Sequence, residues 1–382
     1  MEAGGVWLQP KENSLPSLRH AITYFDGIEF DIRRTADNQL VLHHDREVHL
    51  PSESQSEQPT WVEEWTLDDL TNLGFLSFEK LLEDRTVQHS WSSDGKMGCV
   101  EIKRPHPRAR CGGGYLGRTQ HNSYIAEVMK QIDIALTEYD IPRENSVIYS
   151  FHKDMPASAK LAKTTRPWAA LIPYIPPYGN RTTQRTQAFP QYLRMPFKRL
   201  VRHHRQQGSA MLPCAIEYFD SPTRLIPLGR HVGLQGSAFQ RLNRLRNGMA
   251  TYVWPTRLPL EHQMLRCGMT ALTDAADPAL TWLPSGHARW TQPGTKPLTE
   301  AEWKYLESAT TENHLQIIKE LQSQAPTWKE CDQQRRRQLV SEWKTTWNWG
   351  ESTDALLEKY TDATSPWSTP RLIGHRGSGK TA

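Results

Sequence analysis

No stretch of this 382-residue chain approaches the roughly 20 consecutive apolar residues that a membrane-spanning helix needs. The opening MEAGGVWLQPKENS has neither a charged leader nor an apolar core, so no secretory signal is read there. No stable membrane insertion and a cytoplasmic location are therefore expected. Cysteine is scarce: Cys99, Cys111, Cys214, Cys267 and Cys331 are odd in number, scattered, and free of any CxxC pair. Nothing in that spacing suggests a disulfide framework or a zinc site, and the five read as ordinary thiols. Charge of one sign is missing too. With 46 basic and 42 acidic residues the net charge is only +4, and no global field for nucleic acid results. The two basic clusters, Lys198–Arg205 and Arg335–Arg337, read as solvated faces. The composition, 37% hydrophobic and 23% charged, is polar but well short of disorder, and a folded soluble enzyme is the default expectation.

What is present is an alternation. Short β-rich runs recur at Gly27–Ile32, Leu40–His43, Cys99–Ile102, Val147–Phe151, Trp168–Pro173, Cys214–Phe219, Ala250–Trp254 and Met269–Thr273, with helix-like segments between them. Such alternation is the mark of βαβ units closing a parallel sheet. The Leu40–His43 run follows Gly27–Ile32 through the turn signal Ala36-Asp37-Asn38 and reads as a hairpin return. Seven barrel strands then precede residue 277, and the eighth needed to close an α/β, TIM-type (β/α)8 barrel is expected at Arg371–Gly377, just after the breaker Pro370. The predicted organisation is 1–277 for the barrel, 278–370 for a Trp-rich helical region packed on it, and 371–382 for the remaining strand.

Region 278–370 holds eight of the 14 tryptophans and two long helical patterns, Glu300–Gln324 and Cys331–Trp347. Leu315, Ile318 and Leu321, and Leu339, Trp343 and Trp347, recur at helical spacing, which predicts packing faces. Residues 174–190, rich in Pro, Thr and Gln, are predicted to be a long loop.

The chemistry-bearing residues fall at strand ends. In GIEFDIR, Glu29 and Asp31 are two apart and share one face, with Ile28, Phe30 and Ile32 on the other. Buried carboxylates need a partner, and a hard divalent cation, Mg2+ or Ca2+, is the natural one. Glu101 and Lys103 repeat the spacing in VEIKR, bringing a third carboxylate and a fixed cation to the same end of the barrel. His43-His44-Asp45 places a histidine at a strand end, where it can exchange protons. Ordinary salt bridges would explain either charged pair alone, and that reading weakens when both pairs must coexist with His44 and His375.

The pattern from Asp26 to Asp45, DGIEFDIRRTADNQLVLHHD, resembles the glycerophosphodiester phosphodiesterase family, and VEIK, VIYSF, YVWPT and CGMTALTDAAD follow in family order. Glu12-Asn13-Ser14 is similar to the opening of that family's first helix. The family's His-Arg-Gly strand is absent upstream and stands at 374–379 as GHRGSG, so the resemblance, over 11–278 and 371–379, implies a circularly permuted barrel. It implies further that Glu29, Asp31 and Glu101 hold the metal, that His44 and His375 are the acid/base pair, and that Arg376 and Lys103 bind phosphate. The implied partner is a small glycerophosphodiester. Where the family has W-T-V-N this chain has Trp254-Pro255-Thr256; Trp254 and Glu217 are further candidates for substrate contact. Two alternatives keep the fold: a phospholipase D-like enzyme acting on choline-containing lipids, and a barrel that binds a phosphorylated ligand without turning it over. GHRGSGKT also fits a phosphate-binding loop, but such a loop needs a following helix and the sequence stops at Ala382. A domain-swapped dimer, in which the last strand completes a neighbour's barrel, is compatible with the long preceding segment.

Overall fold

The GIEFDIR alternation forms strand β1 (Gly27–Arg34) in the computed structural model, which describes residues 7–50, 59–219, 233–280, 289, 296–325 and 327–381. Ile28, Phe30 and Ile32 pack into the layer between strands and helices, against Leu18 and Ile22 of the helix Leu15–Tyr24. The alternate residues face the barrel interior. The turn after β1 is closed locally: the Thr35 hydroxyl accepts the Gln39 N–H at 2.9 Å, and Asn38 takes the left-handed conformation. The chain returns as β2 (Leu40–Leu42), antiparallel to β1 as its sequence predicts, and a two-residue strand β3 (Leu76–Ser77) pairs with β2.

The remaining strands are β4 (Met97–Ile102), β5 (Ser146–Ser150), β6 (Trp168–Ala170), β7 (Leu212–Ala215), β8 (Thr251–Thr256), β9 (Thr270–Thr273) and β10 (Leu372–Gly374). Their order is β6-β5-β4-β1-β10-β9-β8-β7, with every neighbouring pair parallel. Between β6 and β7 the Ala210 N–H donates to the Trp168 carbonyl at 2.9 Å, so the eight strands come close to a closed TIM-type barrel.

The position expected for the strand near Arg371 is the one observed. β10 lies between β1 and β9 within the same chain, with Ile28 opposite Gly374 and Leu372–Gly374 opposite Ala271–Thr273. It is shorter than the predicted Arg371–Gly377, because His375–Ser378 turns back toward the first helix. Gly377 makes that turn feasible. Its φ is +83°, and a Cβ there would lie 2.5 Å from the Ser17 hydroxyl. β10 is anchored at its other end by Asp26, whose carboxylate accepts the Leu372 N–H at 2.9 Å.

The Trp-rich region plugs the lower end of the barrel, where the strands begin. Trp328, Trp343, Trp347 and Trp367 join one apolar cluster with the inward-facing Met97, Tyr149, Tyr252 and Ile373, so the aromatic stripe is core. Trp282 and Trp290 lie outside the described residues, as do residues 1–6 at the start of the chain. The second helical pattern forms as expected, as Gln333–Trp347. The first does not form one helix: it divides into Glu300–Glu307 and His314–Ser323, and Leu315 is 61% exposed while Ile317 and Leu321 are buried. The break falls at Thr310, whose N–H is capped by Asn313 at 2.6 Å, a local bond that competes with helix continuation. The predicted loop 174–190 is also corrected. Its second half is the helix Arg181–Arg194, started by the Asn180 cap. Asn180 accepts the Thr183 N–H at 2.9 Å.

Candidate active site

The register of β1 against β4 decides the site. Asp31 stands opposite Glu101 and Glu29 opposite Cys99, so the three carboxylates converge on the inner face at the strands' C-terminal ends. All are buried, and each offers an oxygen within 4.8 Å of the others. Burial and the charges of Asp31 and Glu101 push the Glu29 carboxyl well above the usual carboxylate range. Burial would raise Asp31 too, but the cations of Lys103 and Arg376 hold it well below. Lys103 Nζ lies 2.9 Å from Asp31 Oδ1 and also pairs with Glu101. Burial raises the Glu101 carboxyl as well, so three buried carboxylates, two of them held above the usual range, form a donor set of hard oxygens with room for more positive charge, which fits a divalent cation.

Arg376 reaches the cluster through an unusual backbone position, with φ +51°. Its own N–H donates to Glu29 Oε2 at 2.8 Å, while its guanidinium donates to Glu12 at 3.0 Å and lies 3.4 Å from Asp31. Asn13, also left-handed at φ +54°, donates to Asp31 Oδ2 at 2.9 Å and accepts the Asp31 N–H at 3.0 Å. Its N–H donates to the Arg376 carbonyl at 3.1 Å. Glu12 and Asn13 thus tie the last turn of the chain to β1.

Each candidate histidine has a carboxylate on Nδ1. His375 Nδ1 is 2.7 Å from Asp274 Oδ1 and its Nε2 is 3.8 Å from Glu29; His44 Nδ1 is 2.8 Å from Asp45 Oδ1. An ionised partner fixes the proton on Nδ1 and leaves Nε2 as the basic atom. Burial lowers both imidazoles, Lys103 adding to the effect at His44, so both are neutral near pH 7. His43 is no competitor. Its ring packs on Phe75 at 4.6 Å, whereas His44 lines the cavity beside Glu101 and Lys103.

Glu101 stands between two cavities. One of about 210 Å3 is lined by His44, Lys103, Arg46 and Arg104 and walled by Ile175–Pro177. The other, about 20 Å3, lies deeper and touches Glu29, His375, Tyr149 and Trp254. Burial lowers the Arg104 guanidinium to about 10. Trp254 precedes Pro255 at an irregularity in the β8–β9 ladder between Val253 and Thr256, which is where a residue without an N–H can be accommodated. The structure therefore brings together Glu29, Asp31, Glu101, Lys103, His44, His375, Arg376 and Trp254. Glu217 is not among them. It sits in a 3-10 turn, Ile216–Tyr218, just after β7, a correction to the strand expected there, and it lines neither cavity. Ala215 marks the strand's end, so the alternation that would have aimed Glu217 inward has already stopped. Asp45 directly follows His44, whereas Asp274 lies 101 positions from His375 and no local pattern pairs the two. For Arg46 and Arg104 the sequence carried no signal.

Residues 4–107 match the model of the glycerophosphoryl diester phosphodiesterase family. No curated protein matches the chain. Among solved structures, it is similar to a glycerophosphodiester phosphodiesterase from Thermotoga maritima, with 16% identity, TM-score 0.43, and coverage of 69% of this chain and 89% of that one. A phosphodiesterase from Oleispira antarctica, solved in complex with the product sn-glycerol-3-phosphate, aligns at 14% identity and TM-score 0.44, covering 69% and 88%. One from Parabacteroides distasonis aligns at 16% and 0.40, covering 69% and 85%.

Proposed function

We propose that this member of the glycerophosphodiester phosphodiesterase family hydrolyses small glycerophosphodiesters to glycerol 3-phosphate and an alcohol, using one divalent cation and two histidines. The observation that carries the reading is the convergence of Glu29, Asp31 and Glu101 on the same barrel mouth as two carboxylate-oriented histidines. The three carboxylates hold the cation, Mg2+ or Ca2+. When bound, such an ion withdraws charge from the phosphoryl oxygens and helps to orient the diester. Lys103 and Arg376 add positive charge where negative charge accumulates during displacement.

The histidines handle protons. One Nε2 takes the proton from the attacking glycerol hydroxyl as its oxygen bonds to phosphorus; the other histidine protonates the alcohol oxygen as its bond to phosphorus breaks. Water then opens the cyclic phosphate with the proton transfers reversed. Asp274 and Asp45 hold the two rings so that Nε2 does this work. We also read the motif order as a circular permutation, with 1–277 and 371–382 as the barrel and 278–370 as its plug.

The test is release of glycerol 3-phosphate from a panel of glycerophosphodiesters, with and without chelator. The expected result is activity abolished by EDTA and restored by Mg2+ or Ca2+. Failure to cleave any of the panel, or full activity in excess EDTA, defeats the reading.

A further inference from the structure

Two guanidinium groups of the larger cavity take no part in the roles above. Four basic side chains line it, and two are accounted for: Arg33 is buried on Glu63 at 2.6 Å, and Lys103 lies between Asp31 and Glu101. Arg46 and Arg104 differ. Among the described residues neither has a carboxylate within ion-pair distance. Arg46 donates to the Gly179 carbonyl at 2.9 Å, and its Nη1 is buried without a hydrogen-bond partner. Arg104 donates to the Ile175 carbonyl. Both carbonyls belong to the segment between β6 and the helix Arg181–Arg194, part of which walls the cavity.

A partly buried cation without a counter-charge is costly, and two in one cavity cost more. The carboxylates facing them offset this only in part: Asp45 is engaged by His44, Glu63 by Arg33 and Glu101 by Lys103, and Glu47, which acts on Arg46 most strongly, forms no ion pair with it among the described residues. The scissile phosphate does not supply the rest, since Lys103, Arg376 and the cation sites at Glu29, Asp31 and Glu101 already receive it under the function proposed above, on which this step rests. A second anion would fit. We propose that the alcohol portion of the substrate carries an anionic group of its own, phosphate or carboxylate, that docks on Arg46 and Arg104. A planar guanidinium is suited to either, and a quaternary ammonium head group would meet like charge. The substrate class narrows from glycerophosphodiesters in general to those with a negatively charged head.

The experiment compares kcat/KM for four diesters: glycerophosphoglycerol, the same compound with a terminal phosphate, glycerophosphoglycerate, and glycerophosphocholine. The second and third separate phosphate from carboxylate. The wild-type enzyme is expected to favour one or both anionic diesters over glycerophosphoglycerol by roughly 10-fold or more, the scale of one charge-assisted hydrogen bond. Arg46→Gln and Arg104→Gln should each collapse that ratio, and the Arg→Lys variants, which keep the charge, should retain part of it. Should a Gln variant not fold, the ratio is read in its Lys counterpart, where a partial fall is required. Equal rates on charged and neutral heads overturn the proposal. So does a ratio that survives the substitutions, or an equal loss on all four diesters, which would make the arginines mere clamps of the β6 loop. Calorimetry separates this from the parent reading. Glycerol 1,3-bisphosphate should bind more tightly than glycerol 3-phosphate, with the advantage lost in Arg46→Gln. That outcome without cleavage of any diester supports the anion site and sinks the hydrolase reading alone.

Discussion

At the lower end of the barrel Arg371 is fully buried, and its guanidinium is enclosed by the carbonyls of Pro366, Trp367 and Thr369 at 3.0, 3.1 and 3.3 Å and the Ser365 hydroxyl at 2.9 Å. At the upper end Glu29, Asp31 and Glu101 are buried to a similar degree, but they are answered by one another and by Lys103 and Arg376. The lower charge has both terminal nitrogens enclosed by dipoles, leaves only its Nε without a partner, and lines neither cavity of the candidate site. The upper charges repel as much as they attract, an arrangement that folding alone does not favour. Burial by itself therefore does not distinguish scaffold from site; what distinguishes them is whether the buried charge is already satisfied.

The sharpest way to break this comparison is to remove an upper carboxylate. Glu29→Gln should cost about 10³-fold or more in turnover. Because it relieves repulsion from Asp31 and Glu101, it should also raise Tm in chelator by about 2 °C or more. Scanning calorimetry beside the assay decides it; a fall of several degrees would place Glu29 with the scaffold. Next, His375→Ala should cost about 10²- to 10⁴-fold in kcat, and Asp274→Asn roughly 10-fold with little change in KM, since Asp274 acts through His375. Equal losses from both, by steady-state kinetics, would contradict that division.

The lower end should respond in the opposite currency. Trp343 is fully buried, its ring 5.3 Å from Trp328 and 4.7 Å from Trp349. Trp343→Ala should lower unfolding free energy by about 3 kcal/mol or more while turnover per folded molecule holds, as urea titration and activity together would reveal. The last effect, confined to a pH window, concerns Asp26. Burial raises its carboxyl to about 7. A group raised in the folded state contributes stability that is complete below its unfolded pKa of about 4 and lost as pH climbs through its folded value. Asp26→Asn keeps an acceptor for the Leu372 N–H, and relative to wild type it should gain roughly a few kcal/mol between pH 4 and 8. A difference that does not vary with pH would mean Asp26 is not the titrating group.

Much of this comparison was legible in the sequence because strands write their two faces alternately. Glu29 and Asp31 announce an inner face, and Ile28, Phe30 and Ile32 an outer one. The place of β10 could be anticipated from a missing barrel strand and a resemblance in motif order. The helix Arg181–Arg194 was not visible, since Thr, Gln and Arg leave it without an apolar stripe and Pro190 falls inside it. Glu217 was misplaced by two residues of strand length. The roles of Asn13 and Glu12 depend on contacts 363 and 364 positions away, at Arg376, that no local pattern encodes. The same holds for Arg46 and Arg104, which meet only because the β6 loop folds over both.

The bond between Asp26 and Leu372 spans 346 positions of the chain. Bringing ends so far apart together costs on the order of 5 kcal/mol in loop-closure entropy, to be recovered only when β10 finds both of its neighbours. That makes the arrival of the final strand a late event in folding, and His375 and Arg376 arrive with it. Until then the carboxylates of β1 and β4 face each other without the Arg376 cation or its Glu29 bond. Assembly of the candidate site and completion of the barrel are thus one cooperative step, and a partly folded chain presents its carboxylates without their cationic partners.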